Sequence, residues 1–339
     1  MIIMKKAKQT FIAIVLILAL SLGTGCASYK SIEASSGNNV ALLQTNKNNA
    51  YLNVYDLSDG SLVLEEKLGT TNEFFYQSCF IDGKTNVFTY NNNETIILEK
   101  GKEKIAIKNQ NNIAMQSLSE NKILSVEYDN KEDLFFVSRK VENQNELIKE
   151  IPLSGTFSDF KINKSSNTVM VLTYNQKEMA TFLYEICLDD YNVNKVKLFD
   201  FAASVKGVKM EGKYFLAVGD KVLDASKKEK INKMYTLDMS NNEVSEIATL
   251  TDEPFAISSY GNKISYILDR NNPHLYITDT SLNPIVDFDL AAKNVYGLKE
   301  INDILYVFGN QAIYKLDGEQ LKVLTRFSKD NLKTNIDLY

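Results

Sequence analysis

The stretch Asn167–Phe199, NTVMVLTYNQKEMATFLYEICLDDYNVNKVKLF, decides the fold. It reads as three strands in succession, VMVLTY, TFLYEIC and VNKVKLF, separated by the polar turns NQKEM and LDDYN. Val, Ile, Thr, Tyr and Phe suit a pleated, half-buried surface. Asn, Asp and Gly suit the turns, because they tolerate positive φ and bond their own backbone. Apolar residues at three-and-four spacing, the mark of an amphipathic helix, are missing from any long stretch of the chain.

The opening turn residue and the strand behind it recur. GNNVALLQT begins at Gly37, GKTNVFTY at Gly83, NKILSVEY at Asn121, GKYFLAVG at Gly212, GNKISYIL at Gly261 and NDILYVFG at Asn302, besides Asn167 itself. The steps are 46, 38, 46, 45, 49 and 41 residues, and a mean of about 44 is the length of one four-stranded propeller blade. Each lone strand is followed by a hairpin, as in YLNVYDLSDGSLVLEEKL and MYTLDMSNNEVSEIATL. A shorter, less apolar run precedes each unit, as in FFYQSCFIDG, NIAMQSLSEN, TFSDFKINKS and PFAISSYGN, and is the natural innermost strand. The expectation is an all-β chain whose residues 37–327 form a seven-bladed β-propeller of four-stranded antiparallel blades. Radial repetition leaves few exposed sheet edges, and about 300 residues suffice to bury a single large core. Two ways of closing the ring stay open. The inner strand of the first blade comes either from YKSIEASSG, within the segment 26–36 and its neighbours, or from NLKTNIDLY in the C-terminal segment 328–339. The first is favoured.

The N terminus carries an address. Lys5, Lys6 and Lys8 precede the apolar run Phe11–Leu22, which is too short for a membrane-spanning helix of about 20 residues, and small residues follow. That is the grammar of a secretory signal. Leu22, Gly23, Thr24 and Gly25 before Cys26 resemble the lipobox of bacterial lipoproteins, with the leucine one place further from the thiol than the family pattern prefers. The resemblance implies a signal peptide over residues 1–25, acylation (palmitate) at Cys26, a short tether over 26–36, and a propeller on the extracytoplasmic face of the bacterial cell membrane. Two or more acyl chains make such an anchor stable. In period and strand pattern the body resembles bacterial propeller lipoproteins and surface-protein propellers of the YVTN kind. It lacks the WD signature, and no tryptophan is present to build quinoprotein docking motifs.

Charge and composition narrow the partners. The formal net charge is −5, and loss of the three leader lysines makes the mature chain more acidic, which disfavours a nucleic-acid partner because phosphate contacts supply most of that affinity. Cys79 and Cys187 both read as strand positions in different repeats, where cysteine behaves as a small hydrophobe. The single histidine, His274, follows a proline in a loop, so Ser-His-Asp or Cys-His catalysis rests on it alone. DLSDG (Asp56, Asp59) and LDDYN (Asp189, Asp190) lack EF-hand spacing and sit at hairpin turns. Neither a metal nor a cofactor is expected, and the chain is expected to be no enzyme.

Candidate binding residues lie in the turns between the second and third strands, which a propeller gathers on one face. Tyr90, Tyr128 and Tyr174 each open such a turn and are followed by Asn or Asp; with Asn92, Asn130, Asn175, Arg270 and Asn272 they form the candidate surface. Tyrosine gives large contact area with a polar tip. The fifth of these turns, residues 219–233, is the longest and holds Lys221, Lys227, Lys228, Lys230 and Lys233. These features point to a monomeric, membrane-anchored, non-catalytic binding module or scaffold for an envelope or extracellular protein partner. The alternative is a small-ligand or metal-dependent propeller using channel carboxylates, as lactonase-type propellers do. Likeness to outer-membrane assembly propeller lipoproteins is a third reading, which requires a Gram-negative host.

Overall fold

A computed structural model describes residues 39–335 apart from 46–48, 70–79, 83–84, 91–93, 100–104, 109–110, 120–121, 130–132, 141–145, 164, 224–226, 270, 292–294 and 328–332. Strands β1 (Asn39–Thr45), β2 (Ala50–Asp56) and β3 (Leu62–Gly69) open the chain. Blade 1 follows as β4 (Phe80–Asp82), β5 (Thr85–Tyr90), β6 (Glu94–Glu99) and β7 (Ile105–Lys108). Blade 2 is β8 (Asn111–Ser119), β9 (Lys122–Tyr128), β10 (Leu134–Lys140) and β11 (Glu146–Leu153). Blade 3 is β12 (Thr156–Asn163), β13 (Thr168–Asn175), β14 (Ala180–Cys187) and β15 (Val193–Phe199). Blade 4 is β16 (Ala203–Met210), β17 (Lys213–Val222), β18 (Lys228–Asp238) and β19 (Glu243–Thr249). Blade 5 is β20 (Pro254–Tyr260), β21 (Lys263–Leu268), β22 (His274–Thr278) and β23 (Pro284–Asp289). Blade 6 is β24 (Val295–Ile301), β25 (Ile304–Gly309), β26 (Ala312–Asp317) and β27 (Gln320–Arg326), and β28 (Lys333–Asn335) ends the series.

The expectation of seven blades, one per repeat, is corrected. Six blades, not seven, are each built from one unbroken stretch of chain; the remaining four-stranded sheet is a composite in which β28 pairs with β1, in the order β28-β1-β2-β3. Its register joins Gln44 to Thr334 and Thr45 to Lys333. The strand inside β1 therefore comes from the C-terminal segment, and not from YKSIEASSG as favoured. Tyr29–Asn38 and Cys26 lie outside the described residues. Sewing the two ends into one sheet closes the ring without leaving β1 as an unpaired inner edge.

Position within a blade explains the sequence pattern. Second strands are covered on both faces by neighbouring blades, so β13 is buried through Val169–Thr173 and β25 through Leu305–Gly309. Outer strands meet water, and β11 and β19 are mostly exposed along their length. Four of the recurring turn residues are also accounted for: Asn167 (φ 49), Gly212 (φ 79), Gly261 (φ 57) and Asn302 (φ 51) all adopt the left-handed conformation, which costs Gly and Asn least; Gly37, Gly83 and Asn121 lie outside the described residues. Between blades the sheets interlock through apolar clusters, such as Leu172, Leu183, Val205 and Leu216 between blades 3 and 4. Phe308 and Ile313 of blade 6 pack on Val40 and Leu42 of the composite sheet, which completes the circle.

Candidate docking face

Alternating strand direction puts the turns between second and third strands on the same face as the links from each outer strand to the next inner one. Tyr128 ends β9, Tyr174 lies one residue before the end of β13, and Tyr90 ends β5, so all three reach this face. Tyr128 and Tyr174 are half-buried, and Tyr128 packs on the blade 2 core beside Leu134 and Phe136. Asn175 works within its own turn: its Oδ1 accepts from the amides of Lys177 and Glu178, at 3.0 and 3.1 Å, and its Nδ2 donates to Glu178 Oε1. Asn272 is exposed in the bend before β22. Asn92, Asn130 and Arg270 lie outside the described residues. The face thus gathers Tyr128, Tyr174, Asn175 and Asn272 from three blades.

The link before β12 fixes the Tyr174 end of this surface. Gly155 has φ +90, and a Cβ there would sit 2.3 Å from the Tyr174 carbonyl oxygen, so only glycine lets the two backbones approach. Thr173 donates to the Ser154 carbonyl at 2.7 Å alongside.

The largest feature was hidden in the sequence. Residues 219–233, read as a long loop, extend β17 and β18 to 10 and 11 residues, longer than any other second or third strand among the described residues. Pairing continues outward to Val222 opposite Lys228. The root of this projecting hairpin is braced. The Val222 amide donates to the Ala202 carbonyl at 2.7 Å, and Thr181, fully buried, donates to the Phe201 carbonyl and accepts from the Ala203 amide. Phe199 stacks on Phe201 with centroids 4.9 Å apart and meets Tyr235 at 4.8 Å. Lys221 lies over the Phe201 ring.

Four of the five lysines are paired with acids, so they do not make a free basic patch. Lys221 faces Glu229, Lys228 faces Asp220, Lys230 faces Asp252 and Lys233 faces Glu246, at 3.9, 3.6, 3.8 and 2.7 Å. Exposed pairs of this kind are worth little in stability, but they leave a hairpin of alternating charge beside half-buried aromatics. Asp220 and Glu229 lie on the hairpin itself, brought opposite their lysines by the strand register, while Glu246 and Asp252 come from β19 and the link after it, so lysine spacing alone missed them. Phe199 and Phe201, two residues apart in LFDFAAS, were the available signal for the aromatic root.

The other singled-out residues are structural. Asp56 accepts from Ser58, Asp59 from the Ser61 amide and Asp190 from the Asn192 amide, all within turns. His274 Nε2 lies 2.6 Å from Asp287 Oδ2 on the surface and rests on Tyr276. Cys187 is a free thiol, and Cys79 lies outside the described residues. Among the described residues, no three His, Cys, Asp or Glu side chains gather as metal ligands.

No protein-family model matches the chain, and no curated protein matches it. Solved structures do. The β-propeller domain of the Trilobed protease from Pyrococcus furiosus, described as having an open velcro topology, matches with TM-score 0.59 and 17% identity over 88% of this chain and 96% of that one. The acylaminoacyl peptidase of Pyrococcus horikoshii matches with TM-score 0.57 and 17% identity over 88% of this chain, which spans about half (52%) of that one. A chain of the mitotic checkpoint complex matches with TM-score 0.57 and 13% identity, covering 87% of this chain and 86% of that one. Likeness at this identity establishes the propeller fold and nothing finer. It does correct the expectation that the chain is no enzyme. Propellers of this shape occur within peptidases, so the thin catalytic constellation in the sequence is no ground for excluding catalysis.

Proposed function

We propose that the protein is a propeller scaffold that docks a protein partner at the cell envelope, held on the extracytoplasmic side of the membrane by lipid at Cys26. One observation carries the docking reading: the β17–β18 hairpin stands out from the face that also bears Tyr128 and Tyr174, and its root is held rigidly by the Phe199, Phe201 and Tyr235 cluster. A braced protrusion loses little conformational entropy on binding, and aromatic anchors ringed by polar groups are where contact energy concentrates. The alternating charges of the hairpin set register and orientation for a partner of matching pattern. The leader and the thiol at Cys26 supply the address by their resemblance to the lipobox.

Crosslinking and mass spectrometry of the full chain in its own envelope tests this. The expected result is a partner whose crosslinks map to residues 219–233, captured about tenfold less by the Phe201→Ala and paired Lys228→Glu, Lys230→Glu variants. Unchanged capture by those variants would overturn the assigned surface. Cys26→Ser is expected to move the protein from the membrane to the soluble fraction, and retention on the membrane would overturn the anchor.

A further inference from the structure

The middle of the ring holds charge that neither the docking face nor the core explains. Lys161, on the inner strand β12 of blade 3, donates to the carbonyl of Ile257 on the inner strand β20 of blade 5 at 2.5 Å. Blade 4 lies between them in the ring, so the side chain crosses the central channel. Lys206, on the inner strand β16 of blade 4, donates to the Ser158 carbonyl at 2.9 Å and lies 3.9 Å from Asp159 Oδ1. Asp159 is already engaged, since its Oδ2 accepts the Gly207 amide at 2.9 Å. Ser158 is spent as well, its hydroxyl both donating to the Val205 carbonyl and accepting the Val205 amide.

Asp159 contacts Lys206 and acts on Lys161 only through its field, so one carboxylate faces two ammonium groups. The Asp159 side chain is only 5% exposed, while that of Lys206 keeps 32%. An enclosed charge is costly unless it is matched by an opposite one, and the partner seen for Lys161 is a neutral carbonyl. Burial holds the Lys161 ammonium below the usual lysine range; Asp159 restores part of this and Lys206 pushes it down again. Each ammonium has three donors, and the observed bonds occupy one on Lys161 and one on Lys206. Among the described residues, two lysines and one aspartate leave a single positive charge in excess here, with unused donors on two strands and access from water along Lys206.

We propose that the channel binds one small carboxylate between Lys161 and Lys206. A carboxylate supplies one negative charge and two acceptor oxygens, one for each ammonium, whereas a phosphate dianion would overshoot the charge. The carboxylate is either a free small acid or the terminus of a peptide entering the channel. The site is independent of the docking face.

Thermal melts of the full chain test it, with acetate against chloride at matched ionic strength, and with a tripeptide against its C-terminal amide. The expected result is a saturable rise in melting temperature with acetate or with the free-acid tripeptide, and none with chloride or the amide. A response to acetate identifies a free acid, and a response to the tripeptide alone identifies a peptide terminus. Lys161→Met and Lys206→Met are each expected to weaken the response about tenfold. If Lys161→Met fails to fold, acylation of Lys161 in the unaltered chain is followed by mass spectrometry. The responding carboxylate is expected to slow that reaction while leaving Lys177 unaffected. No saturable response to either carboxylate, an equal response in both variants, or unchanged acylation of Lys161 would overturn the proposal.

Discussion

Two seams of the ring do the same job with different means. Between blades 3 and 4 the chain is continuous, and the seam is filled by side chains from every strand it meets, among them Leu172, Leu183, Val205, Leu216 and Leu237, each 0% exposed. Its polar groups are mutually satisfied: Tyr214 donates to Glu185 at 2.6 Å, and Lys209 bonds the same carboxylate. Between blade 6 and the composite sheet the buried apolar set among the described residues is smaller, Val40, Leu42, Tyr55 and Leu57 against Tyr306, Phe308 and Ile313. Here Asn53 Nδ2 and the Tyr55 hydroxyl both donate to Gln44 Oε1, yet the buried Asn53 Oδ1 has no hydrogen-bond partner. The Tyr306 hydroxyl spans 249 residues of sequence to reach the Leu57 carbonyl. The lesson is that closing a ring from its two ends substitutes polar registration for apolar bulk. Such a seam is where sub-global opening is expected to start.

The largest effect expected tests that ranking directly. Phe308→Ala removes a fully buried ring and is expected to cost about 3–5 kcal/mol, and Leu216→Ala about 2–5 kcal/mol. The two should differ in kind. Hydrogen exchange in Phe308→Ala is expected to accelerate in β1 and β2 while β13 and β17 stay protected, whereas Leu216→Ala lowers protection throughout. Equal acceleration everywhere in both variants would erase the distinction between the seams.

A middle-sized effect sharpens it through tyrosine. Burial first, and then the bond and charge of Glu185, hold the Tyr214 phenol far above its ordinary range. Tyr55 in the closing seam is shifted the same way, chiefly by burial and then by Glu65. Burial also raises Tyr266 to about 12. With folded values raised, the stabilisation is complete below the unfolded value of about 10. It is lost as pH rises above that, because the unfolded chain ionises first. Unfolding followed by denaturant between pH 9 and 12 is expected to show stability falling from pH 10 upward. Tyr214→Phe is expected to cost about 1 kcal/mol at neutral pH and to make the alkaline fall shallower. A fall of unchanged steepness would show that Tyr214 is not linked to it.

Much of this architecture was legible because the period is physical. Asn167, Gly212, Gly261 and Asn302 had to be residues that tolerate positive φ, and the strands behind them had to be apolar on both faces. The closure was legible only as the less favoured of two alternatives, because Lys333–Asn335 is only three residues long. The projecting hairpin was misread as a loop because INKMY and DKVLD are too polar to announce strands; they pair by register, which brings their lysines opposite acids of the hairpin and of the strand and link that follow. Nor does any pattern in TFSDFKIN show that Lys161 would meet Ile257, 96 residues on. Contacts across a channel depend on where blades sit, and local periodicity does not encode that.

The smallest effect locates the difference between the seams by exclusion. Asp279 caps the turn between β22 and β23: its Oδ1 accepts from the amides of Ser281 and Asn283, both at 2.8 Å, and its Oδ2 from Asn283 Nδ2. These bonds, the Asn283 side chain first, hold its carboxyl below the ordinary value, as the Ser61 bonds do for Asp59 in the composite sheet. A depressed folded value means stabilisation that is present above the unfolded value, about 3.9, and lost as pH falls below it. Asp279→Ala and Asp59→Ala are each expected to lower the melting temperature at pH 7 by less than Tyr214→Phe does, and by similar amounts. Both differences from the unaltered chain should vanish by about pH 2, where the carboxyls are protonated. Equal losses at a turn in blade 5, away from the closure, and at a turn in the composite sheet would place the weakness of the closure in its packing, since the same Asx chemistry then serves both. A much larger loss for Asp59→Ala would instead assign the composite sheet's hold on β2 and β3 to its turn.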